Sequence, residues 1–174
     1  MRVADGIPLD SATAVKCDLA SEVLRSFGTL RFAATGWSML PAIWPADTLV
    51  VDRVSPDQVR VGEVVLVGRK GRLCAHRVIS KADDSGNPHW ITQGDAVESP
   101  DPPVRAPELL GRVAYLIRGG KLMAVATKLS VVERLTARIV QRSVPAARAL
   151  VYLHNMAQTP AKAASEKAIF PCQG

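Results

Sequence analysis

Glu63-Val64-Val65-Leu66-Val67-Gly68-Arg69-Lys70-Gly71-Arg72-Leu73-Cys74-Ala75-His76-Arg77-Val78-Ile79-Ser80 holds two apolar runs of strand length on either side of Lys70-Gly71. A polar dipeptide ending in glycine between two such runs predicts an antiparallel hairpin. In the second run the period-two alternation of a strand sets Cys74, His76 and Val78 on one face and Ala75, Arg77 and Ile79 on the other. Outward from this hairpin the same grammar recurs at Leu30–Ala34, Thr48–Val54, Trp90–Gln93 and Arg112–Arg118, with Asp84-Ser85-Gly86-Asn87-Pro88 as a loop. Residues 30–118 are therefore expected to be mainly β, a small coiled and mostly antiparallel domain.

The flanks change period. Ala14, Val15, Leu19, Val23, Leu24 and Phe27 recur every three or four residues, which predicts an N-terminal helical lead-in over residues 1–29. Asp10 or Ser11 is placed to cap it and Gly28 to stop it. Beyond Gly119-Gly120, the residues Leu122, Val125, Leu129, Val132, Leu135 and Ile139 form a helical stripe accompanied by Lys121, Lys128, Arg134, Arg138 and Arg142. This predicts a basic amphipathic helical extension over 119–157, interrupted near Pro145, with a flexible tail at 158–174. Such a stripe has two uses: packing on the β domain, or lying in an anionic membrane interface with its cations toward the headgroups.

Bulk composition narrows the classes. A chain of 174 residues fits one domain with extensions. Its 22 basic against 16 acidic residues, a formal charge of +6, suit either contact with an anionic surface or a simply solvated basic helix, and no nucleic-acid partner is expected. Cys17, Cys74 and Cys172 are widely and irregularly spaced, which argues against a disulfide framework and for a reducing, cytoplasmic setting. No repeated ligand pairs suggest a zinc site, so neither metal nor cofactor is expected. The N-terminus lacks the apolar core of a secretory signal, and no window reaches the run of about 18 apolar residues of a spanning helix.

The residues able to do chemistry lie at the ends of the β-type runs. Gly36-Trp37-Ser38-Met39-Leu40-Pro41-Ala42-Ile43 must turn after the first strand, which exposes Ser38 and leaves backbone N–H groups to face an oxyanion. A serine there also suits a plain turn cap. His76 falls 38 positions later, inside an apolar strand where it is either a satisfied core histidine or a base. Asp95, after Gly94, and Asp101, between Pro100 and Pro102, are the two acids that could hold its ring. A serine–lysine dyad would have to use Lys70 or Lys81, both at turns where desolvation is poor.

Taken together these residues resemble the signal peptidase I superfamily, in its archaeal and endoplasmic-reticulum branch. Gly36-Trp37-Ser38-Met39-Leu40-Pro41 is similar to the nucleophile box, Pro45-Ala46-Asp47-Thr48-Leu49-Val50 and Val61-Gly62-Glu63-Val64-Val65 to the next two strands, His76-Arg77-Val78-Ile79 to the histidine box, and Gln93-Gly94-Asp95 with Asp101 to the acidic box. The resemblance spans about Thr35 to Val113. It implies the β fold shared by signal peptidases and SOS repressors, and a serine endopeptidase that cleaves a leader, signal or propeptide after a small residue. Ser38 would be the nucleophile, His76 the base, Asp101 the orienting acid with Asp95 in or beside the site, and the backbone of Ser38 and Met39 the oxyanion hole. The substrate would lie extended as an added strand. The chain departs from the family in having Gly36 where bacterial members carry a hydroxyl residue, and in showing no membrane anchor. A self-cleaving regulator like the SOS repressors, or an idle peptide-binding member, are the alternative readings.

Overall fold

The computed structural model describes residues 9–84, 86–143, 145, 147–154 and 156, with side chains from residue 15 onward. Helix α1 (Leu9–Phe27) leads into strands β1 (Thr29–Ala33), β2 (Thr48–Asp52), β3 (Val64–Arg69), β4 (Arg72–Asp84), β5 (Asn87–Gln93), β6 (Val104–Arg105), β7 (Leu109–Arg118) and β8 (Lys121–Ala124), and then into helix α2 (Val131–Arg142). The eight strands make one antiparallel sheet in the order β1-β2-β7-β3-β4-β5-β6, with β8 also paired to β7. Among the described residues no helix is long and apolar enough to cross a membrane.

The hairpin expected at Lys70-Gly71 joins β3 to β4, with Val65 opposite His76 and Val67 opposite Cys74. Its first strand is covered on both faces. Val64, Val65, Leu66 and Val67 are all buried. Alternation sends Val64 and Leu66 into one core with Leu24, Met39, Ile43, Leu49, Val51, Val113 and Leu116. Val65 and Val67 go into a second core with Val59, Val78, Trp90, Val104 and Leu109. A strand covered on both faces reads as an unbroken apolar run.

Two expectations are corrected. Asp10 and Ser11, expected as caps, are themselves helical, because α1 is already formed at Leu9. Gly28 does stop it, with a positive φ of 73° and its N–H donating to Leu24 O at 3.0 Å. The helix expected from Leu122 is instead strand β8: Gly119 and Gly120 take φ of 54° and 78°, which allows a two-residue reversal that pairs Lys121 with Arg118. The helix begins at Val131, where Ser130 accepts from the N–H of Glu133 and Glu133 accepts from the N–H of Ser130. Past Pro145, residues 147–154 are helical again. The expected tail at 158–174, with Cys172, lies outside the described residues.

Candidate active site

Ser38 sits in the β1–β2 connection, a segment tied down along its length. Ala34 N–H donates to Asp47 O, and Ala46 N–H to Ala34 O, each at 2.8 Å, which closes the loop at its base. The Asp47 carboxylate accepts from Trp44 N–H at 2.7 Å and from the Arg118 guanidinium at 2.9 and 2.7 Å. Met39, Leu40 and Ile43 are buried as apolar pegs, and Leu40–Pro41 is a cis peptide. The serine is therefore presented by a fixed turn. Its carbonyl accepts from Ala96 N–H at 2.8 Å, which fastens the turn to the segment after β5.

His76 lies in mid-β4 and is 6% exposed. Its Nε2 is 3.0 Å from Ser38 Oγ, and its Nδ1 is 2.6 Å from Asp101 Oδ2. A carboxylate only accepts, so Nδ1 carries the proton and donates it to Asp101, which leaves Nε2 bare to accept from the serine hydroxyl. Asp101 is itself held. Its N–H donates to Thr92 O at 2.8 Å, while Thr92 Oγ1 donates to Asp101 Oδ2 at 2.7 Å. Sequence reasoning missed Thr92; its only signal was a hydroxyl residue two positions from the buried Trp90 on the same face of β5.

Asp95 is not brought to the imidazole. Its two oxygens accept from Nε and Nη2 of Arg77 at 2.8 and 2.7 Å, and that guanidinium also donates to Gly62 O at 2.8 Å and Ala126 O at 2.6 Å. Of the two acids expected as candidates to hold the ring, Asp101 does so and Asp95, expected in or beside the site, is corrected to a partner of Arg77: adjacent strand residues point to opposite faces, so His76 meets Asp101 and Arg77 meets Asp95. Lys81 places its ammonium 5.4 Å from the centre of the Trp90 ring and Lys70 lies in the β3–β4 turn, so neither stands in for the histidine.

A second residue missed in the sequence is Arg69. It donates to Glu108 at 2.6 and 2.7 Å and to the carbonyls of Pro102, at 3.1 Å, and Pro103. Those carbonyls directly follow Asp101, so this clamp fixes the loop that carries the acid. The hydrogen bond from Arg69 holds the Glu108 carboxyl below its ordinary range, against partial desolvation, and the Glu108 bond raises the guanidinium in turn.

Comparison with protein-family models, with curated proteins and with solved structures finds no match to this chain.

A cavity of about 280 Å³ opens beside Ser38. Residues 32–36 wall one side, Leu73, Cys74 and Ala75 the other, and Met39, Ile43 and Leu49 complete the lining. The lining is mostly apolar and lies between the end of β1 and the start of β4. Cys74 also lines a hollow of about 200 Å³ that reaches His76, Thr92 and Asp101. Burial, with the nearby Asp101 charge, pushes its thiol up to about 11, so it stays protonated and is no rival nucleophile at neutral pH. The N–H groups of Ser38 and Met39 have no acceptor among the described residues. Hydroxyl, imidazole and carboxylate in hydrogen-bonded series beside an apolar cleft is an arrangement suited to acyl transfer.

Proposed function

We propose that the chain is a serine endopeptidase of the signal peptidase type, which cleaves an extended peptide after a small side chain. The observation that carries this reading is the series Ser38–His76–Asp101, with contacts of 3.0 and 2.6 Å. Ser38 Oγ attacks the scissile carbonyl carbon as His76 Nε2 takes its proton, and the Nδ1–H bond to Asp101 stabilises the imidazolium that forms. The carbonyl oxygen becomes an oxyanion facing the Ser38 and Met39 N–H groups. On collapse the C–N bond breaks, and His76 returns the proton to the departing amine. Water, deprotonated by the same ring, then hydrolyses the acyl-serine.

The cleft supports the substrate class. Two extended walls suit a peptide in strand conformation, and a cavity of about 280 Å³ bounded by Ala33, Ala34, Met39 and Ala75 suits modest apolar side chains. A mainly β, antiparallel architecture supports this reading, being of the class that the resemblance implies. A peptidyl phosphonate with alanine at its reacting end tests the proposal: wild-type protein should be labelled on Ser38, and Ser38→Ala or His76→Gln should not. Equal labelling of wild type and Ser38→Ala would overturn the nucleophile, and no labelling of the wild type would favour an idle peptide-binding relative.

A further inference from the structure

Helix α2 is docked on one side only. Ala137 and Val140 are buried, Val140 packs with Ala147 against Leu40 and Ala96, and Gln141 Nε2 donates to the carbonyls of Asp95 and Val97 at 3.3 and 3.2 Å. The sequence offered packing or a membrane interface as alternatives. The structure divides the helix between an inner face that packs and an outer face that does not. On the outer face Val131, Val132, Leu135 and Ile139 are 74%, 73%, 60% and 53% exposed. At about 100° per residue these four fall in one sector about 100° wide; the exposed Arg134 and Arg138 flank one edge of it, and the exposed Arg142 falls just inside that edge. Glu133, the one carboxylate of α2, is spent on the Ser130 cap. The next helical stretch repeats the arrangement: Ala147, Leu150 and Val151 join the same small core, while Tyr152 and Leu153 stand 64% and 63% exposed beside an exposed Arg148.

We propose that the outer face of these C-terminal helices is a docking surface for an anionic lipid interface. Side chains this apolar, gathered on one side of a helix and edged by arginines, match a bilayer boundary in both respects. The aliphatic groups enter the acyl region while the guanidinium groups remain among anionic headgroups. A second copy of this chain is a poorer occupant, since pairing the two stripes would draw two arginine rows together. The proposal is independent of whether the Ser38 site hydrolyses peptides, because the residues of the outer face are neither part of the Ser38–His76–Asp101 series nor in the lining of the cleft beside it.

Flotation of the full chain with vesicles decides it. The protein should rise with phosphatidylcholine–phosphatidylglycerol vesicles at low salt, remain below with phosphatidylcholine alone, and be released by high salt. Each basic residue near an anionic surface contributes about fivefold in partitioning, so replacing Arg134, Arg138 and Arg142 by Gln should weaken binding about a hundredfold. Leu135→Gln with Ile139→Gln should abolish it while leaving the unfolding temperature unchanged, because both side chains face solvent. Failure of the wild type to rise, or binding that survives both sets of substitutions, would overturn the proposal. So would a dimer in solution that ignores vesicles and dissociates on Leu135→Gln.

Discussion

A single methyl group at Gly94 should disable the site. A Cβ built there would lie 2.7 Å from Ser38 O, 2.8 Å from Val97 Cγ2 and 3.0 Å from His76 Nε2. Ordinary contact begins near 3.4 Å, so the difference from 2.7 Å requires a shift of about 0.7 Å between Gly94 and the Ser38 carbonyl. That carbonyl cannot yield freely, because it accepts from Ala96 N–H at 2.8 Å and the turn behind it is pegged by Met39 and Leu40. Overpacking of this kind costs about 1–3 kcal/mol, and each kcal/mol lowers the unfolding temperature of a chain this size by about 2–4 °C. The larger effect falls on reactivity. A misplacement approaching 1 Å between nucleophile and base costs up to about a hundredfold. Gly36→Ala is the control, two residues from Ser38 on its other side, where a Cβ meets nothing within 4 Å and stability should stay within about 0.5 kcal/mol of wild type. Thermal unfolding and the second-order rate of phosphonate labelling are the assays. A Gly94→Ala protein that unfolds and labels like the wild type would refute the packing reasoning.

The two aspartates should separate by readout. Asp101→Asn removes the acceptor that fixes the His76 tautomer and should slow labelling about 10³–10⁴-fold with little change in unfolding temperature, the side chain being 30% exposed. Asp95→Asn leaves a buried guanidinium, 9% exposed, without its counter-charge, and should cost about 3–5 kcal/mol of stability while the folded fraction still labels. The reverse pattern would exchange their roles. For Cys74, whose thiol is pushed up to about 11, iodoacetamide at pH 8 should leave the folded protein unmodified there, with alkylation rising only as pH approaches that value. Peptide mass mapping checks this, and alkylation at pH 8 as fast as in the unfolded chain would contradict the burial of that wall of the cleft.

The sheet was legible where one strand carried its own signal. Alternation and a turn dipeptide located the β3–β4 hairpin, and the β-type runs at 30–34, 48–54, 90–93 and 112–118 fall on β1, β2, β5 and β7 with shifts at their ends. Strand β6 was not legible, because two residues have no period; Val104 is a strand residue only through its pairing with Trp90. Strand β8 was hidden by coincidence, since Leu122, Val125 and Leu129 satisfy a helical spacing that tertiary pairing with β7 overrides. The turn chemistry of Gly119-Gly120 is the better guide there, because two glycines at positive φ suit a tight reversal.

The site was legible in its residue types but not in its pairings, and β4 shows why. His76 and Arg77 are consecutive, both about as buried as the core around them, at 6% and 7% exposed, and both in need of a carboxylate. The sequence provides two aspartates six positions apart, and nothing local assigns them. The sheet does, by reversing direction at every residue: the His76 side of β4 faces Ser38 and the loop after Thr92, and the Arg77 side faces Gly62 and Ala126. Asp95 reaches the second side directly from Gly94. Asp101 returns to the first side because its N–H takes Thr92 O and the Arg69 clamp holds the prolines after it. One carboxylate thus neutralises a permanent cation and braces the fold. The other meets a ring that gains charge only when it takes a proton, which is the pairing that catalysis requires.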